Sequence, residues 1–328
     1  MGARRPRERQ RNSGKSQQAD GQEGTGHGVA ERRRPKEGVN DARGPCGEPG
    51  VRIATWNVNS LRMRLDQVLA WLGEERPEVL CLQETKVSDD LFPLQPIEAL
   101  GYRAVFSGQK AYNGVAILSL LPLEDLRIGL DGMLPNDAEA GSLAEQKRVI
   151  SALIEGVRVV NLYVPNGSSL RSEKYAYKLE WLACLERALR ALQAEGDPLV
   201  LVGDFNIALE ARDLHAPERL TGGIMASEAE RQALKQALGP DLTDVFRVFE
   251  PASGHWSWWD YRSGAWETGR GWRIDHIYLD DQLLDFATGC VIHQRLRGNP
   301  QPSDHAPVVV HLAWPPTEAD QDEEADLF

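Results

Sequence analysis

Apolar residues along this chain gather in short runs that break off on polar ones. Val51-Arg52-Ile53-Ala54-Thr55-Trp56-Asn57 predicts a strand ending in polar side chains. Behind Ser60, the expected N-cap, Leu61, Leu65, Val68, Leu69 and Leu72 recur at helical spacing and stop before Pro77. Val79-Leu80-Cys81-Leu82 is a second apolar run, followed by Gln83-Glu84-Thr85. This is strand–helix–strand. If the strands are parallel, Asn57 and Glu84 share one rim, where open α/β sheets keep their sites.

Residues 102–106 and 114–119 predict further strands, separated by turn chemistry at Gly108-Gln109-Lys110 and Asn113-Gly114. Residues 130–146 are polar, with Pro, Asn and Gly, and read as a surface loop. Residues 148–154 and 157–164 form a hairpin pattern around Glu155-Gly156. A helix follows over about 172–195, with Tyr175, Leu182, Leu185, Leu189 and Leu192 as its apolar stripe. Leu199-Val200-Leu201-Val202 is a buried-strand run leading into Gly203-Asp204-Phe205-Asn206. Residues 227–238 suggest another helix capped by Ser227. Residues 271–279 and 308–312 read as strands. Many strands and only three long helices, without strict βα alternation, predict one α/β domain over 51–314 with two packed sheets and helices outside them. No internal repeat stands out.

Charge changes the picture at the ends. The formal net charge is −12, but residues 1–50 carry 11 Lys+Arg against 7 Asp+Glu, while the remainder carries 26 against 42. An acidic body argues against non-specific coating of nucleic acid. It leaves room for a local basic groove or a carboxylate site around a divalent metal. The 1–50 segment is almost empty of large apolar residues and reads as disordered. Its basic runs at residues 4–7 and 32–36 suit a solvated tail, contact with DNA backbone or a targeting signal. Because residues 51–53 open the first strand abruptly, and a bacterial reading frame can start on a valine codon, a native start at Val51 is a further expectation. Residues 315–328 read as a loose acidic tail. Cys46, Cys81, Cys184 and Cys290 lie far apart without metal spacing, and Cys81 and Cys184 sit in apolar runs. Free thiols and a reducing compartment follow. No stretch approaches the length of a membrane span, and the N-terminus lacks a secretory h-region.

Candidate chemistry lies where strands begin or end. Asn57, Glu84, Asp204, Asn206, Asp275, Asp304 and His305 all sit there. Each has an ordinary explanation: an Asx turn for Asp204, a helix cap for Glu84, an ion pair with Arg273 for Asp275, an N-cap for Asp304. Together they hold what phosphodiester hydrolysis needs. Carboxylates and an amide oxygen suit a hard cation such as Mg²⁺. A His–Asp pair can carry a proton or bind a phosphoryl oxygen. Asn and Tyr can donate to developing charge.

Trp56-Asn57-Val58-Asn59, Leu82-Gln83-Glu84-Thr85-Lys86, Tyr163-Val164-Pro165-Asn166, Gly203-Asp204-Phe205-Asn206, Trp272-Arg273-Ile274-Asp275 and Ser303-Asp304-His305 occur in that order. The chain thereby resembles the exonuclease III family of AP endonucleases over residues 51–314. Residues 257–262 and 302–307 are similar to its bacterial branch. The resemblance implies a four-layer α/β-sandwich of the DNase I-like type, with two packed mixed β-sheets flanked by helices. It implies Mg²⁺- or Mn²⁺-dependent cleavage of double-stranded DNA 5′ to abasic sites, leaving a 3′-hydroxyl, and trimming of blocked 3′ ends as exonuclease, 3′-phosphatase or 3′-phosphodiesterase. A monomer in the bacterial cytoplasm is expected, or a nuclear protein if the basic tail is a genuine targeting signal.

Carried over residue by residue, Glu84 is the principal metal ligand with Asn57, Asn59 and Asp304. Asp204 orients or deprotonates the attacking water, and Asn206 positions that water and the phosphate; both border the metal, as does His305. His305, held by Asp275, binds a phosphate oxygen. Tyr163, Asn166 and Arg148 contact the scissile phosphate region. Trp258, Trp272 and Ile274 match the slot for the abasic sugar, whereas Trp256 and Trp259 read equally well as core. Asn59 replaces the aspartate of some members, and the 1–50 tail has no counterpart in the compact bacterial enzymes. The competing readings are a phosphoesterase of the same superfamily acting on lipid or inositol phosphates, and a non-catalytic DNA-binding protein.

Overall fold

The computed structural model describes residues 50–135 and 137–314, so the expectations for the tail at 315–328, and for 1–50 apart from Gly50, lie outside the described residues. The strands in chain order are β1 (Val51–Asn57), β2 (Val79–Gln83), β3 (Arg103–Ser107), β4 (Val115–Ser119), β5 (Glu124–Ile128), β6 (Val149–Ile154), β7 (Val157–Tyr163), β8 (Leu199–Asp204), β9 (Thr243–Asp244), β10 (Asp275–Leu279), β11 (Ala287–Ile292) and β12 (Val308–Leu312). They make two six-stranded sheets, ordered β11-β12-β1-β2-β4-β3 and β5-β6-β7-β8-β10-β9.

Each sheet has one parallel pair, β1–β2 and β7–β8; its other neighbours are antiparallel. A parallel pair needs a long crossover. The helices Leu61–Glu75 and Glu173–Gln193 supply one each. The two sheets are therefore topological repeats of each other, although the sequence shows no repeat.

Side-chain alternation sorts the core into layers. Ile53, Cys81, Ile117, Val159, Val202 and Ile277 fill the space between the sheets. The opposite faces of β1 and β2 bury Trp56, Leu80 and Leu82 against Val68, Trp71 and Leu72 of the first long helix. On the other sheet, Val160, Leu162 and Leu201 meet Trp181, Leu185 and Leu189, with Leu234 of the helix Glu228–Leu238 beside them. The result is helix, sheet, sheet, helix. It explains why 199–202 is continuously apolar, because β8 is buried on both faces.

The hairpin at Glu155-Gly156 and the Ser227 cap are as expected. The Ser172 hydroxyl accepts from the Tyr175 amide, and Ser227 forms a capping box with Glu230. Three expectations need correction. Residues 130–146 are not a plain loop. They carry short helices Gly129–Met133 and Ala138–Ala144, whose Leu130, Met133, Ala140 and Leu143 bury against the second long helix. Ser60 occupies the N-cap position but makes no side-chain capping bond, and its φ is 93°. The strand expected over 271–279 begins only at Asp275; Trp272 makes isolated bridges to Trp258 and Leu214.

One edge of the molecule collects the chemistry. β1 and β2 end together, with Asn57 opposite Gln83. β7 and β8 end together, with Tyr163 opposite Asp204, and β10 starts there, with Asp275 opposite Asp204. Below this rim a buried tie crosses between the sheets. Gln83 Nε2 donates to Thr55 Oγ1 (2.8 Å) and Asn161 Oδ1 (2.7 Å), while Asn161 Nδ2 donates to the carbonyls of Leu82 and Ala116. Such buried polar contacts fix register where apolar packing alone would allow slippage. Among the described residues, no helix is long and apolar enough to cross a membrane.

Candidate active site

The backbone leaves the strands in uncommon conformations. Asn59, Glu84 and Asn206 have φ of 43°, 50° and 49°. Asparagine tolerates the left-handed region; for glutamate it is costly, and such strain collects at functional sites. Gly203 has φ 148°, and a Cβ there would lie 1.9 Å from the Leu162 carbonyl oxygen on β7. Only glycine lets β8 pass so close before it delivers Asp204.

Asn57 joins the two sheets. Its Nδ2 donates to Glu84 Oε1 at 2.9 Å and to Asp204 Oδ2 at 2.8 Å, while its Oδ1 accepts from the Asn59 amide. Lys86 Nζ pairs with Glu84 Oε2 at 2.6 Å and donates to Asn59 Oδ1. Asp204 is a well-supplied acceptor. Besides Asn57 it receives the Asn206 amide at 2.8 Å and Asn206 Nδ2 at 3.2 Å. Asn166 Nδ2 donates to Asn206 Oδ1 at 2.8 Å. Arg148 lies 4.6 Å over the Tyr163 ring.

His305 faces Asp204 across the rim, with Nε2 3.8 Å from Oδ2, and its Nδ1 is 2.9 Å from Asp275 Oδ2. The Asp275 amide is held by the Ser257 hydroxyl, and Ser303 Oγ ties the His305 loop to the Asn57 carbonyl. Asp304 accepts from Asn59 Nδ2 (2.9 Å) and from Trp258 Nε1 (3.0 Å). The ordinary explanations for Asp275 and Asp304 therefore fail. Arg273 pairs instead with Asp213 and Asp244.

Burial sets the proton affinities. It pushes the Asp204 carboxyl up, with the charges of Asp275 and Glu84 adding to it and His305 opposing. For Glu84 burial acts upward too, but Lys86 and the Asn57 amide outweigh it, and the carboxyl titrates below its usual range. Burial alone would lower His305; the carboxylates of Asp275 and Asp204 reverse that, and the imidazole is raised. Tyr163 is pushed well above 10 by burial and by the charges of Glu84 and Asp204, so it is a phenol at neutral pH. Glu84, Asp204 and His305 each offer an atom within 4.8 Å of the others. Carboxylate and amide oxygens with one imidazole suit a hard divalent cation.

An apolar wall adjoins the carboxylates. Trp272 and Ile274 pack with Leu214, Met225 and Ala226, and Trp258 stands edge-on to Trp272 at 6.1 Å. Trp259 is buried against Trp266, and Trp256 covers Gly271, so both belong to the packing of this segment. On the other side opens a groove of about 730 Å³ lined by Tyr112, Asn113, Arg148, Tyr163, Asn166 and Lys174. The structure thus gathers the strand-end residues into one cluster, flanked by the aromatic wall and this groove. Sequence reasoning gave no role to Lys86, Ser257 or Ser303. Each lies within a stretch the sequence had marked: Lys86 two residues beyond Glu84, Ser257 at the start of 257–262, and Ser303 beside Asp304 and His305.

The profile of the Endonuclease/Exonuclease/phosphatase family matches residues 54–305. Exodeoxyribonuclease III of Haemophilus influenzae is 33% identical over 270 residues, spanning 79% of this chain and 98% of that protein. The 3′ phosphatase NExo from Neisseria, solved with a product DNA hairpin, superposes with a TM-score of 0.76 at 39% identity, covering 80% of this chain and 100% of that one. An AP endonuclease from Archaeoglobus fulgidus gives 0.74 at 39% identity, covering 80% and 99%.

Proposed function

This chain belongs to the endonuclease/exonuclease/phosphatase family, and from that premise we propose that it is a DNA-repair phosphodiesterase acting on duplex DNA at abasic sites and blocked 3′ ends. Residues 51–314 form its catalytic domain, and it works as a monomer. The observation that carries this reading is the Asn57 amide joining Glu84 and Asp204, with His305–Asp275 opposite and an aromatic wall alongside.

A divalent cation, Mg²⁺ or Mn²⁺, would polarise the phosphate and stabilise charge on the leaving oxygen. Glu84, with Asn57, Asn59 and Asp304, would supply the oxygens to hold it, and Asp204, Asn206 and His305 would border it. Asp204 takes the proton of the attacking water. Its three hydrogen-bond donors keep the carboxylate form available, while burial raises its basicity towards what a general base needs. Asn206 orients that water and, with Asn166, faces the phosphate. His305, held at Nδ1 by Asp275, donates from Nε2 to a phosphoryl oxygen. Tyr163 stays protonated and can donate, and Arg148 stacked on it adds positive charge. Trp258, Trp272 and Ile274 form the slot. An extruded sugar without a base fits where a complete nucleotide overfills, and extrusion costs least at a damaged position.

The test uses a labelled duplex with one stable abasic analogue, beside an undamaged twin and a duplex ending in a 3′-phosphate, each with Mg²⁺ or EDTA. A metal-dependent nick at the analogue and release of the 3′-phosphate are expected. No cleavage of any duplex, with turnover of a lipid or inositol phosphate, would refute the reading.

A further inference from the structure

Lys178 and Glu230 form an ion pair at 2.7 Å whose side chains are both 0% exposed. The pair lies outside the groups that touch the reacting phosphate. Lys178 sits on the helix Glu173–Gln193 and Glu230 in the first turn of Glu228–Leu238. A buried ion pair is a poor way to gain stability, since apolar residues of similar volume usually serve as well or better. Its other contacts suggest a different use.

Lys178 Nζ donates to the Asn206 carbonyl at 2.8 Å and approaches the Asn166 carbonyl at 3.4 Å. Glu230 Oε1, which receives Lys178, also accepts the Met225 amide at 3.1 Å, and Oε2 accepts the Ser227 amide and hydroxyl. The pair therefore holds three site segments by their backbones. Asn206 and Met225 both have positive φ, 49° and 62°. The side chains those backbones carry then meet, as Asn166 Nδ2 donates to Asn206 Oδ1 at 2.8 Å and reaches Met225 Sδ at 3.2 Å. Met225 continues into the aromatic wall with Trp272 and Ile274.

We propose that Lys178 and Glu230 are positioning residues that lock Asn166, Asn206 and Met225 into one wall of the catalytic site. The inference rests on the assignment of this site to phosphodiester hydrolysis. Lys178 makes no contact with substrate; it acts by holding the carbonyls that aim the two asparagines. Misplacing such groups by about 1 Å can cost on the order of 100-fold in rate.

The experiment compares wild type, Lys178→Arg, Lys178→Met and the neutral double variant Lys178→Met/Glu230→Gln. The double variant removes the unpaired buried charge that would unfold the single one. Thermal melts establish the folded fraction, DNA affinity is measured in EDTA, and single-turnover cleavage at saturating DNA is followed with Mg²⁺. The double variant should be folded and bind DNA as wild type does, yet cleave on the order of 100-fold more slowly. Lys178→Arg keeps the positive charge and the N–H donors and should, in its folded fraction, recover most of the rate. A folded double variant cleaving at the wild-type rate would overturn the proposal, as would a folded Lys178→Arg variant as slow as the double variant. A wild-type protein that cleaves no DNA would overturn the underlying reading instead, and this inference with it.

Discussion

Asn57 spans the boundary between the two sheets, because a single amide donates to a carboxylate from each. Its place and those of Glu84, Asp204 and His305 were legible in the sequence for one physical reason: each interrupts or borders an apolar run where side-chain alternation turns a polar group to the rim. Lys178 was hidden because it falls within a helical stripe and looks like a solvated lysine, yet it is fully buried. Asp204→Asn keeps the shape and most of the hydrogen bonds but removes the proton acceptor. Single-turnover cleavage should fall by about 10²- to 10⁴-fold with DNA binding retained. A loss of less than tenfold would assign the base elsewhere.

At the scale of elements, the two strand–helix–strand crossovers were readable because their strands are buried on both faces and their helices carry clean apolar stripes. The edge strands were not. β5 exposes Glu124, Asp125, Leu126 and Ile128, so no alternation marks it. β11 buries only Cys290. The short helices within 129–144 escaped notice because their apolar residues are too few to set a period. The close pass of β7 and β8 gives a prediction at this level. Gly203→Ala puts a Cβ 1.9 Å from the Leu162 carbonyl in a backbone conformation that L-residues avoid. Urea unfolding should show a loss of more than about 3 kcal/mol, a size that points to a named steric conflict. A near-neutral result would mean the strands can separate without cost.

Taken whole, the molecule stacks two topologically similar halves and places its chemistry where their parallel pairs end. That arrangement was legible only in outline, since pairing of distant strands leaves no mark on local pattern. The halves also bury charge. His276, fully enclosed beside Arg273, is lowered to about 4 by burial and then by that guanidinium. The Arg273 carbonyl can only accept, so Nε2 of His276 carries the proton and Nδ1 accepts from the Tyr278 hydroxyl. In the unfolded chain the imidazole titrates near 6.5. Below that pH the unfolded state binds the extra proton and the folded state does not, so stability falls as pH drops from about 6.5 towards 4, by on the order of 3 kcal/mol from this group. His276→Gln should flatten the pH dependence of the urea midpoint across that window relative to wild type. Parallel curves would show that His276 is protonated alike in both states. Glu84→Ala decides whether the cluster around Glu84 and Asp204 is a metal-dependent hydrolytic centre for DNA, with cleavage and binding of one abasic duplex followed side by side. Mg²⁺-dependent cleavage should be lost while binding of the duplex in EDTA persists. Cleavage at the wild-type rate would contradict it.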